Sequence, residues 1–224
     1  MFTVVSAGLA PGLALLSYFY LREEIKSEPI SEVLRSFILG AILVFPIMFI
    51  QYVMDVENVF SYSLFDAFFR AALLEEFFKW FIFYFTAYRF IPFDESYDGI
   101  IYGVAVSLGY ASAENILYLL AYGFEIEYAL LRAILPVSSH AVFGVIMGYY
   151  FGKSKFADVE TKTKFILASF FVPFILHGLY DFILLLQSSA IFFIIPFMIF
   201  IWFFALKKVK EIKHEALIEK SLDL

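Results

Sequence analysis

Eight residues of chemically active type stand inside apolar runs of this chain. They are Glu75, Glu76 and Lys79 in "LLEEFFKWF", Glu114 and Asn115 in "GYASAENILY", His140 in "LPVSSHAVFG", and His177 with Asp181 in "PFILHGLYDF". An ionisable group near the centre of a membrane helix costs a few kcal/mol. Buried charge is also a poor route to stability, because desolvation roughly cancels the attraction. The set therefore calls for a function.

Two histidines, several carboxylates and an amide can activate water, and a carboxylate pair in a low-dielectric site is one way to tune a general base. Lys79, one turn from Glu75, is expected to hold that partner ionised and leave Glu76 freer to work as the base. His140 or His177 would orient the water or donate to a developing oxyanion, with Asp181 fixing the tautomer of His177. Glu114 adds a carboxylate, and Asn115 adds a donor or, more simply, an amide in a helix contact. The same inventory suits zinc, which takes two histidines and a carboxylate with a position left for water; the set here would be Glu76, His140 and His177. No H-E-x-x-H motif is present, so that reading rests on inventory. Ser138 and Ser139 adjoin His140 without a nucleophile-elbow pattern. The chain has no cysteine, which excludes thiolate catalysis, disulfides and Cys-type metal centres.

The elements that must position these groups are membrane helices. Of the 224 residues, 62% are hydrophobic, well above the half expected of a soluble domain. The length allows about seven spans of about 20 residues and no separate soluble domain. We read an all-α polytopic bundle, one integral-membrane domain over 1–224 with spans at 2–20, 35–53, 67–89, 98–122, 129–151, 164–187 and 190–206. The core is 67–187, and 207–224 is a short mixed-charge cytoplasmic tail, compatible with a helix and read as a solvated anchor in which His214 is a surface histidine. Thirteen cations (Arg22, Lys26, Arg35, Arg89, Lys153, Lys155, Lys162, Lys164, Lys207, Lys208, Lys210, Lys213 and Lys220) fall on one side by alternation, against Arg132 alone on the other. The positive-inside rule then puts the N-terminus outside and the C-terminus in the cytoplasm of a multi-pass plasma-membrane protein.

With that topology, the rise per residue puts Glu75 and Glu114 roughly 12 Å below the outer surface, His140 and His177 roughly 15 Å and Asp181 roughly 9 Å. Four helices of alternating direction thus bring their ionisable groups to one level in the outer half of the bilayer. Ala72, Glu75, Glu76 and Lys79 form one stripe at i, i+3, i+4, i+7. Gly103, Ser107, Ala111 and Glu114 form a small and polar stripe suited to close helix contact, with Gly144 and Gly148 following His140.

"EEFFK" at 75–79, "YASAEN" at 110–115, His140 in "SSHAVFG" and "HGLYD" at 177–181 together resemble the PrsW family of intramembrane proteases, relatives of the type II CAAX prenyl endopeptidases. The resemblance implies hydrolysis of a peptide bond near the extracytoplasmic end of a single-span membrane protein, such as an anti-sigma factor. It assigns Glu75 and Glu76 to the paired glutamates, Lys79 to the base that follows them and Glu114 to the next glutamate. His140 then matches the following histidine, and His177 with Asp181 the H-x-x-x-D pair. Whether the chemistry is glutamate-type or zinc-dependent stays open at this point. The implied partners are the single-span substrate and the lipid bilayer, with no nucleic acid. The reading from a different class is a proton- or ion-coupled transporter or sensor, for which buried Glu, His and Asp are equally typical; against it stand the absence of an internal repeat and of paired broken helices.

Overall fold

The computed structural model describes residues 1–23, 27–60 and 62–222. Lys26 of the cation count lies outside the described residues, as does the placement of every side chain from 216 to the C-terminus. All regular structure among the described residues is helical: α1 Phe2–Tyr20, α2 Ile30–Ile42, α3 Val44–Val56, α4 Leu73–Phe83, α5 Tyr97–Tyr122, α6 Ile126–Arg132, α7 Ser138–Phe156, α8 Val159–Leu184 and α9 Ala190–Leu222. Among the described residues, six helical stretches are long and apolar enough to cross a membrane, namely Phe2–Tyr20, Ile30–Val56, Tyr97–Tyr122, Ile126–Phe156, Val159–Leu184 and Ala190–Glu215. The seventh expected span, 67–89, is a helical run in which π turns at Asp66–Ala72 and Tyr84–Tyr88 flank α4. It carries Asp66, Arg70, Glu75, Glu76 and Lys79, and that charge content separates it from the other six. Wide π turns within α-helices occur frequently at functional sites, and the first of these leads directly into the Glu75–Glu76 pair.

The centre of the bundle is α5, which packs against α1, α2 and α7. Its seam with α7 is made by glycines, as the stripe predicts. A Cβ on Gly148 would lie 2.1 Å from the Gly99 carbonyl oxygen, and one on Gly103 would lie 2.5 Å from that of Gly144. The two backbones therefore touch, which in lipid supplies the van der Waals contact that hydrophobicity cannot. Outward-facing Phe45, Phe49, Phe192, Phe200 and Phe203 cover the rim, as expected of a lipid-facing surface.

Two features depart from the sequence reading. First, 207–215 is not a solvated tail. Helix α9 continues through it, Val209 and Ile212 are buried, Tyr149 Oη donates to Glu211, and Lys153 pairs with Glu215 at 2.6 Å. His214 is exposed, as expected. Second, a buried acidic group forms at the end of the bundle where α1 meets the start of α5, drawn from the residues between the first two expected spans and from the first residue of the expected span 98–122. Glu28 and Asp98 are buried. The Glu28 amide donates to Glu23 Oε2 at 2.8 Å, Tyr102 Oη donates to Glu28, and Asp98 Oδ2 accepts from the Asp94 and Glu95 amides at 2.6 and 3.0 Å.

Glu23 lies outside the spans, and burial pushes its carboxyl from 4.5 up to about 7, with the Glu28 amide opposing and the charges of Glu28 and Glu95 reinforcing. A pKa raised by folding contributes stability that is complete below the unfolded value and is lost as pH rises through the folded one. Glu23→Gln is therefore expected to raise the thermal midpoint in detergent relative to wild type, by a margin that widens from pH 4.5 to pH 7 and then levels. A margin that widens toward low pH would contradict this.

Candidate active centre

The α4 stripe points into the bundle. Glu75, Glu76 and Lys79 are all buried, facing His140 at the start of α7 and His177 on α8. Lys79 Nζ lies 2.6 Å from Glu76 Oε1 and 4.0 Å from Glu75 Oε2, and 3.1 Å from His140 Nδ1. His177 Nδ1 is 2.8 Å from the same Glu76 oxygen. Glu76 is thus tied to a cation and a ring nitrogen, whereas Glu75 faces the other ring nitrogens: its Oε2 is 3.8 Å from His140 Nε2 and 3.9 Å from His177 Nε2. The rings are nearly perpendicular, with centroids 5.2 Å apart.

These distances revise three expectations. Lys79 holds Glu76, not Glu75, so the glutamate left free is Glu75. The Nδ1 of His177 is held by Glu76; Asp181 stands on the Nε2 side at 3.4 Å. At this centre the ligand atoms of Glu75, His140 and His177 converge within 4.8 Å of one another, with Glu75 in the place expected of Glu76. Glu75 Oε2 is buried with no hydrogen-bond partner, a costly condition for a carboxylate oxygen. Two imidazoles and a carboxylate around one point are a donor set that fits zinc. The tautomers differ: Nδ1–H of His177 donating to Glu76 leaves its Nε2 lone pair free, whereas an ammonium on Lys79 donating to His140 Nδ1 leaves the proton on Nε2. Metal binding at His140 therefore has to release that proton.

Glu114 Oε2 lies 3.9 Å from His140 Nε2 and 3.3 Å from Arg132 Nη2. Asn115 accepts from Arg132 Nε at 2.8 Å and donates to the Gly8 carbonyl at 3.2 Å; it makes the helix contact and does not line the cavity. Arg132, counted from sequence as an outside charge, is buried, with its guanidinium 4.0 Å from the Tyr118 ring centre. The sequence reading also passed over Gln51, whose Nε2 donates to Glu75 Oε1 at 3.2 Å. Both were visible as lone polar residues in apolar surroundings, "FIQYVM" and "ALLRAIL". The second histidine-bearing helix is anchored to α4 by Trp80 Nε1 donating to Ser169 Oγ at 2.8 Å.

A cavity of about 280 Å3 lies over the centre, lined by Glu75, Glu114, His140, His177 and Asp181 and walled by Gln51, Arg70, Tyr118, Arg132 and Pro136. At about 30 Å3 per water it has room for a small water cluster and is much too narrow for a helix about 10 Å across. A peptide reaching this centre has to be unwound.

Comparison with known proteins gives the family. A family model described as "PrsW family intramembrane metalloprotease" matches residues 28–206. The chain is 54% identical to "Protease PrsW" of Bacillus subtilis (strain 168) over 211 residues, 94% of this chain and 96% of that one. It is 56% identical to "Protease PrsW" of Geobacillus kaustophilus (strain HTA426) over 216 residues, 96% and 95% of the two chains. It is 31% identical to "Protease PrsW" of Clostridioides difficile (strain 630) over 206 residues, 88% and 87%. No solved structure matches it.

Proposed function

Since the chain belongs to the PrsW family of intramembrane metalloproteases, we propose that it hydrolyses a peptide bond near the extracytoplasmic end of a single-span membrane protein, of the anti-sigma-factor type that the family resemblance implies. The observation that carries the mechanism is the unpartnered Glu75 Oε2 between the two histidine Nε2 atoms. Glu75, His140 and His177 would hold zinc. When bound, such an ion lowers the pKa of its water and polarises the scissile carbonyl.

The chain's own groups do the rest. Glu76 orients the His177 ring through Nδ1 and neutralises Lys79. Asp181 lines the cavity, and its Oδ2 has no hydrogen-bond partner; it is the carboxylate placed to take the proton from water and return it to the leaving amine. Glu114, held by Arg132 at 3.3 Å, adds a carboxylate to the cavity wall beside His140, and Asn115 fixes Arg132. Glu75, Glu76, Lys79, His140 and His177 are buried, so the electrostatic contacts among them act at low dielectric. The orientation from the cation count, N-terminus outside and C-terminus cytoplasmic, places the centre in the outer half of the bilayer, within one domain over 1–224 whose working core is 67–187.

Cleavage of a panel of single-span reporters in proteoliposomes tests the reading. Wild type is expected to cut near the outer end of the reporter span, to stop in 1,10-phenanthroline and to recover with added zinc, while folded His177→Ala cuts nothing. Wild type that cuts no reporter, together with a His177→Ala variant that alters a proton or ion flux, would replace this reading with the ion-coupled alternative.

A further inference from the structure

Helix α3 is attached differently from its neighbours. Helix α2 is clamped to α5 at backbone distance: a Cβ on Gly40 would meet the Val106 carbonyl oxygen at 2.0 Å, and one on Gly109 would meet that of Phe37 at 1.9 Å. The regular helix then breaks at Leu43, and Pro46 has no amide to offer the Ile42 carbonyl. Beyond the break only Val44 and Ile47 of α3 are buried, and Phe45, Met48, Phe49, Tyr52, Val53 and Val56 face outward. Two polar contacts at its far end tie it to the helical run that carries the paired glutamates. Gln51 donates to Glu75 Oε1 at 3.2 Å, and one turn on, Asp55 pairs with Arg70 at 3.1 Å. Gln51 is a wall of the catalytic cavity.

We propose that Gln51 is a positioning residue for Glu75, and that α3 is a flap, hinged at Leu43–Pro46 and latched by Gln51 and Asp55, that opens to admit the unwound substrate backbone. This rests on the peptidase reading above. By occupying Glu75 Oε1, the Gln51 amide fixes the rotamer that turns Oε2 toward His140 and His177. A neutral amide does so without adding a charge that would compete for the cation. Opening also exposes an amide that can donate to and accept from a peptide backbone, which inside a bilayer must find such partners. A helix that buries two residues and is held by two polar contacts is among the cheaper elements of the bundle to displace.

Two measurements test this. Supporting contacts of this kind are worth about 10–100-fold in metal affinity, so Gln51→Leu is expected to weaken zinc binding by that factor in chelator competition. It should also lower kcat on a short soluble peptide with KM unchanged. Unchanged zinc affinity and kcat would overturn the positioning role. For the flap, cysteines replacing Asp55 and Arg70 are tethered by a short bifunctional thiosulfonate; the native chain has no cysteine, so labelling is clean. Relative to the same protein after reduction, the tethered form is expected to lose cleavage of the single-span reporter while keeping that of the short peptide. Undiminished reporter cleavage, or equal loss of both substrates, would overturn the flap. A wild type that cuts neither substrate would instead refute the peptidase reading.

Discussion

Glu75→Gln should leave the protein folded and lower reporter cleavage by about 10^2 to 10^4-fold, the range associated with losing a proton-transfer group or its equivalent at the reacting centre. The glutamine keeps the volume and the Gln51 contact but loses the anionic oxygen that faces both histidines. That oxygen has no hydrogen-bond partner and only a 4.0 Å contact with Lys79, whose close pair with Glu76 remains, so the thermal midpoint should move little. Glu76→Gln should behave in the opposite sense. Its carboxylate sits 2.6 Å from Lys79 Nζ, with both side chains fully buried, and breaking a buried pair from one side typically costs about 3–5 kcal/mol. The amide oxygen can still accept from His177 Nδ1, so the activity of the surviving folded protein should fall by no more than about 10–100-fold. Thermal unfolding and cleavage measured on the same two preparations separate the cases. A stable, inactive Glu76→Gln beside an active Glu75→Gln would reverse the assignment.

Gly148→Leu should also have a large effect on folding. The Cβ alone would lie 2.1 Å from the Gly99 carbonyl oxygen and 2.7 Å from Ile100 Cα, atoms of backbone that no rotamer change can move aside. Overpacking in a core commonly costs about 1–3 kcal/mol and sometimes more; here the seam itself must separate, so the cost belongs at or above the upper end of that range. The same seam holds α7 against α5 and so sets where His140 stands, which means that any folded fraction should also have lost activity. Phe192→Leu, on an outward-facing side chain, is the control and should accumulate normally in membranes. A Gly148→Leu protein with wild-type yield and midpoint would refute the close-packed seam.

Much of this was legible in the residues because a membrane helix has few ways to hide a charge. The depth of Glu75, Glu114, His140, His177 and Asp181 follows from their positions along apolar runs, and the structure brings those residues to one cavity. The division of labour between Glu75 and Glu76 was not legible. Lys79 is i+4 from one and i+3 from the other, and a helix allows either pairing; the path of the preceding π turn and the packing of α8 decide it. Arg132 was misread because the cation count took it as an outer helix edge, although "ALLRAIL" is apolar on both sides of it; the structure folds it back on Glu114. Glu28 and Asp98 were passed over because one stands between expected spans and the other at the first residue of one, where local composition does not show burial; theirs comes from the packing of α1 and α5. The burial of the helical tail was available and passed over: Ile201, Ala205, Val209 and Ile212, all buried, recur at helical spacing through a segment whose mixed charges drew attention first.

The central claim is that Glu75, and not Glu76, completes a metal centre with His140 and His177. Zinc stoichiometry, measured on purified wild type, Glu75→Gln and Glu76→Gln after equal dialysis, tests it most directly. The account predicts about one zinc per chain in wild type, as a three-residue catalytic site would hold, little in Glu75→Gln, and zinc retained in the folded fraction of Glu76→Gln. Zinc lost from Glu76→Gln and retained by Glu75→Gln, or a fully active wild type without metal, would contradict it.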